Sequence, residues 1–142
     1  MYARVLHADH AHWRPSNQMG VLNSDLAKQL DGGPLAARFW LLEPGQASTR
    51  HRHTDQTELY VVVEGTGRMR IDDDAPLTLA PRSCVLVEPY TVRQIFNDTD
   101  GRALWLVVGT PPELANTLEM TAEQLARLYP DGPRALPPEL SE

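Results

Sequence analysis

The sequence predicts an all-β protein built from short antiparallel strands closed into a small barrel. Three observations carry that reading. From Ala36 onward, six short runs rich in Val, Leu, Ile and aromatic residues follow one another. Turn-forming residues separate them at short intervals, a spacing typical of barrels and sandwiches. And 12 prolines with 9 glycines favour many strands and turns over long helices.

In chain order, residues 1–35 form a first arm, with a short apolar start, the stretch "HADHAHWRPSN" and a close at "DGG". It shows turn signals but no sustained periodicity, so it is expected to wrap the core or a second subunit. The predicted strands are then "AARFWLLEPG", "ELYVVVEGTG", "RMRIDDDAPLTLAP", "SCVLVEPY", "RQIFNDTDG" and "RALWLVVGTPP", giving a barrel core over about 36–110. Between them, "DDDAP" and "DTDG" supply Asp side chains that bond their own backbone, and Gly101 suits a tight hairpin. Past Pro112 the pattern changes. Thr121 with Gln124 makes a capping box for a short C-terminal helix ending near Tyr129, because Pro130 cannot continue it. The tail "DGPRALPPELSE" reads as an extended arm, so 111–142 holds a helix and a tail.

At 142 residues the chain suits a single domain, 1–142, burying roughly 70% of its unfolded surface. A net charge of −6 without a basic stripe excludes a protein that grips nucleic acid through its phosphates. Apolar runs such as Leu104 to Val108 are too short to span a bilayer, and the start lacks a signal-peptide pattern, which predicts a cytoplasmic protein. The lone Cys84 has no partner for a disulfide and reads as a packed core thiol. His10 and His12, near His7 and Asp9, read as a solvated arm. Trp40, Tyr60 and Trp105 are candidates for the barrel interior.

The chemistry concentrates in "HRHTDQTELYVVVEGTG". His51 and His53 lie two apart, so an extended backbone points both rings to one side. Glu58 lies an odd number of residues further on. A turn or bulge in "TDQT" must therefore intervene before Glu58, Tyr60 and Val62 share a face. Two imidazoles and one carboxylate are the donor set of a facial triad, suited to Fe, Mn, Ni or Zn.

Residues 45–65 read G-x5-H-x-H-x4-E-x6-G, with Gly45, His51, His53, Glu58 and Gly65 at the fixed positions. This resembles the first motif of the cupin superfamily at every one of them, and the strand rhythm from Ala36 to Val108 is similar to the cupin barrel. The resemblance implies a double-stranded β-helix, usually a homodimer, holding a divalent metal ion through His51, His53 and Glu58 plus a histidine from a second motif. That second motif, approximately G-x5-P-x-G-x2-H-x3-N, is degenerate here. Laid on residues 82–97, it agrees only at Asn97. Arg82 and Tyr90 replace its glycines, Glu88 its proline and Arg93 its histidine. A register shifted by one would align Pro89 and put Gln94 at the ligand position.

Arginine stays protonated and has no lone pair for a metal, so the fourth protein ligand is absent. Two readings follow. In the first, a metal-dependent enzyme of oxygenase or isomerase type acts on a small, oxygen-rich or anionic substrate at His51, His53 and Glu58. Arg93 then clamps an anionic group and Tyr60 donates a proton. In the second, a metal-free protein binds a small molecule, with Arg93 paired to Glu58 or to an anionic ligand.

Overall fold

The computed structural model describes residues 3–16, 20–113 and positions 122, 123 and 126. The helix expected over 121–129 and the proline-rich tail lie outside the described residues apart from those three positions. Two antiparallel sheets make up the fold. The larger contains β1 (Arg14–Pro15), β2 (Leu22–Asp25), β3 (Ala36–Leu42), β4 (Thr57–Glu64), β7 (Cys84–Val87) and β9 (Ala103–Thr110), in the order β1-β2-β3-β9-β4-β7. The smaller contains β5 (Gly67–Ile71), β6 (Leu77–Leu79) and β8 (Arg93–Phe96), in the order β6-β5-β8. This is the double-stranded β-helix arrangement.

Alternation decides which side chains meet between the sheets. On β9, Ala103, Trp105 and Val107 are buried while the residues between them are less so. On β4, Glu58, Tyr60 and Val62 face inward together. Met69 and Ile95, paired across β5 and β8, close the core from the other sheet. The aromatic plug is Trp105, fully buried with its ring edge-on to Tyr60 at 6.2 Å.

Gly65 makes the turn from β4 into β5 with φ of 76°, and a side chain there would strike the Arg102 carbonyl. The predicted run "RMRIDDDAPLTLAP" resolves into β5 and β6 around Asp72, whose carboxylate accepts from the Val92 amide at 3.0 Å. Asn97 is wholly buried. Its amide donates to the Leu42 and Gly101 carbonyls at 3.0 and 2.7 Å, and its oxygen accepts from the Thr99 amide at 3.0 Å. The one second-motif residue that matched is thus a hairpin brace.

Two expectations change. The first arm, read without regular elements, contributes strands, because β1 and β2 extend the larger sheet onto β3. A short helix, α1 (Leu26–Leu30), follows with Asp25 capping the Lys28 amide at 3.0 Å. Cys84 is exposed rather than packed in the core. It sits on β7, an edge strand of the larger sheet, where Val85 and Val87 take the inward positions and leave Cys84 and Leu86 facing out. His10 and His12 are exposed, as a solvated arm requires.

Candidate metal centre

The segment before β4 is a partial strand against β8. His51 pairs with Arg93, its amide donating to the Arg93 carbonyl at 3.0 Å and its carbonyl accepting from the Arg93 amide at 2.8 Å. A second bridge joins Ala47 to Phe96. Four steps along one strand therefore oppose three along the other, so one extra residue is accommodated between Ala47 and His51 as a bulge. After His53 the chain bends at Thr54–Asp55 and enters β4 at Thr57. That bend supplies the change of parity demanded by the spacing, and it carries Glu58 onto the larger sheet while the histidines stay with the smaller one.

Three donor atoms converge as a result. The Nε2 atoms of His51 and His53 lie 3.2 Å apart, and Glu58 Oε1 lies 3.9 Å from the first and 3.3 Å from the second. Ligands about 2.1 Å from a common ion are separated by about 3.0 Å in octahedral cis geometry and about 3.4 Å in tetrahedral geometry. Two of the three separations fall in that range, and the third, between His51 and Glu58, is about half an ångström wider.

The hydrogen bonds behind the rings say the same. His51 Nδ1 lies 2.8 Å from the Thr49 carbonyl, which only accepts, so this nitrogen carries the hydrogen. His53 Nδ1 lies 2.7 Å from Glu113 Oε2 and donates to that carboxylate. With both Nδ1 positions protonated, neutral rings turn two lone pairs and one carboxylate oxygen toward each other. No donor is left among the three, so only a cation reconciles them. A proton can serve in the metal-free protein. Burial pushes the Glu58 carboxyl up, but an imidazole that carries that proton donates to it and attracts its charge, which more than offsets burial and holds the carboxyl well below the usual carboxylate range. The donor set therefore fits a divalent metal ion.

Tyr60 donates its hydroxyl hydrogen to Glu58 Oε1 at 2.9 Å. Burial and the Glu58 charge push the phenol well above its ordinary value, against an opposing pull from Arg93, so it stays protonated. Arg93 Nε comes within 3.7 Å of Glu58 Oε1, whereas Gln94 is turned away to donate to the Ser48 carbonyl at 3.0 Å. Arg93 is thus the β8 side chain that takes the interior place beside the triad. Its side chain is 0% exposed, and none of its guanidinium nitrogens has a hydrogen-bond partner among the described residues. No bidentate pair with Glu58 forms.

A cavity of about 640 Å³ opens onto the triad, and its walls include Trp40, Gln56, Tyr60, Ile95 and Glu113. β2, α1 and the arm contribute Arg14, Asn23, Asp25 and Lys28 to its lining. Trp40 and Tyr60 thus reach the interior space as expected, while Trp105 is sealed in the core behind them. The sequence reading missed Glu113 and Gln56. Only an "E" following two prolines marked the first, and nothing in a linear motif could pair it with His53 across 60 positions.

The cupin domain family model matches residues 38–109, slightly more than half of the chain. The chain belongs to the cupin domain family. No curated protein matches it. Among solved structures, this cupin is similar to a sugar phosphate isomerase of the cupin superfamily from Silicibacter pomeroyi. The two are 28% identical over 77% of this chain and 76% of that one, with a TM-score of 0.68. A predicted oxalate decarboxylase from Thermotoga maritima is 18% identical over 77% of this chain and 100% of its own, with a TM-score of 0.67. A double-stranded β-helix protein from Klebsiella pneumoniae is 20% identical over 80% of this chain and 94% of its own, with a TM-score of 0.64. The last two comparisons speak for the fold alone.

Proposed function

We propose that this cupin is a metal-dependent isomerase acting on a small, oxygen-rich anion of the sugar phosphate type. The observation that carries the reading is the meeting of three acceptor atoms, two of them committed as lone pairs by the hydrogen bonds behind them. His51, His53 and Glu58 would hold the ion. When bound, a divalent metal supplies Lewis acidity for adjacent oxygens of a substrate.

The other groups divide the remaining work. Tyr60, on the cavity wall and kept protonated, is the proton donor. Arg93 was expected to clamp an anionic group, but it is buried too deeply to touch one, so its charge acts through Glu58 and Tyr60. Of the cavity's lining residues, Arg14 and Lys28 are exposed, with no charge partner for either side chain among the described residues, and they draw anions toward the cavity. Arg38 is not available for this, being tied to Asp25 at 2.8 Å and to Asn23 at 2.7 Å. Isomerase chemistry is preferred to oxygenase chemistry because the 28% identical neighbour is called an isomerase.

The test is turnover of a panel of aldose and ketose phosphates with added ferrous, manganous, nickel or zinc ion. Isomerisation that is lost with Glu58→Gln supports the reading. Binding of these sugars without turnover under any metal would replace it with a binding protein.

A further inference from the structure

We propose that Glu113 is a positioning residue for the metal centre, through which the segment following β9 sets the affinity of His53 for the ion. This rests on the metal-binding reading above.

The geometry begins at the end of β9. Gln56, 2% exposed, donates from its side chain to the Pro111 carbonyl at 3.0 Å and packs so tightly on Gly109 that a side chain at that glycine would collide with it. The strand end is thereby anchored beside the loop between the histidines and β4. Two residues later, Glu113 reaches across that loop. Its Oε2 accepts from the Thr54 amide at 2.9 Å and its Oε1 from the Asp55 amide at 3.1 Å, while Oε2 also receives His53 Nδ1 at 2.7 Å. Four separate groups, one ring and three main-chain or side-chain anchors, thus tie residues 109–113 to 53–56.

The consequence for His53 is specific. A carboxylate has no hydrogen to give, so it fixes the hydrogen on Nδ1 and leaves Nε2 as a lone pair 3.3 Å from Glu58 Oε1. It also stops rotation of a ring whose side chain is only 4% exposed. The corresponding support for His51 is the Thr49 carbonyl, which belongs to its own strand and cannot leave. The two histidines therefore differ. One is held by its own strand, the other by a side chain 60 positions away that is 24% exposed. Because linkage is reciprocal, whatever factor the Glu113 contact adds to metal affinity, the metal must return to that contact.

The test uses the full chain and Mn²⁺ or Zn²⁺ alone. Nitrogen NMR of the histidine rings in metal-free protein should place the His53 hydrogen on Nδ1 in the wild type and on Nε2 in Glu113→Ala. Metal titration should show Glu113→Ala weakened by about ten- to a hundredfold, the range typical for a lost partner behind a ligand. Glu113→Gln, whose side-chain carbonyl can still accept from Nδ1, should lose less. Amide exchange at Thr54 and Asp55 should slow on adding metal to the wild type. The proposal is overturned by a wild-type His53 with its hydrogen on Nε2, or by both variants binding within twofold of the wild type. A wild type that binds no metal sinks the functional reading instead, and the ring spectra then still decide whether Glu113 sets the tautomer.

Discussion

Arg93 stands cross-strand from His51, on the interior face, where an imidazole would complete the ligand set. Its charge opposes a divalent ion held by the neighbouring side chains. Arg93→His should remove that repulsion and add a donor, tightening metal binding by roughly tenfold or more. Calorimetric titration beside the wild type checks it, and an unchanged affinity would mean that residue 93 does not reach the ion. Glu113 offers a second test at this scale. Burial pushes its carboxyl up, but the amides of Asp55 and Thr54 and the ring of His53 together outweigh this and hold it below its ordinary value. A depressed carboxyl contributes stability that is complete above its unfolded value, about 4.3, and that is lost as pH falls below it. Urea midpoints of metal-free protein between pH 7 and pH 3 should therefore fall more steeply for the wild type than for Glu113→Gln.

The turns around β7 and β8 carry the backbone of the second motif without its residues. Arg82 and Tyr90 occupy the two places where the family pattern has glycine, and both have positive φ, 73° and 67°. The backbone has the glycine conformation although neither residue is glycine. An L side chain in that region costs about 1 kcal/mol. Tyr90 is 64% exposed, so little packing offsets the strain. Tyr90→Gly should accordingly stabilise the protein by roughly 0.5–1 kcal/mol, read as a higher denaturant midpoint with unchanged slope. A lower midpoint would show that the ring contributes more than the strain costs. The register of residues 82–97 rested on "QIFNDTDG" around Asn97, and these angles fall where that register places the two glycines. The strands from β3 to β9 were legible because apolar and aromatic runs are cut apart by turn residues, and β4 and β9 add a clear two-residue alternation. β2 was not, because its buried positions are Asn23 and Ser24, polar residues satisfied by partners such as the Arg14 carbonyl that no local pattern reveals. Cys84 was misplaced for a related reason, since four residues of β7 do not show which face is inside without knowing that the strand is an edge.

Over the whole molecule, the two sheets are pinned at opposite ends by different means. At one end Trp105, Val62 and Met69 fill the space, and Trp105→Ala should cost about 3–5 kcal/mol as a cavity replaces the indole. At the other end the triad joins the sheets, His51 and His53 from one side and Glu58 from the other, around a cavity instead of a core. An ion bound there links the sheets, and at one hundred times its dissociation constant it adds about 2.7 kcal/mol of stability. The melting temperature should then rise by on the order of 10 °C and return on chelation. The measurement that bears most directly on the account is the metal content of untagged wild-type protein and of His51→Ala, after anaerobic incubation with each ion and removal of the excess. About one equivalent in the wild type and none in the variant is the expected result. A wild type that retains no ion from any of the four salts would contradict it.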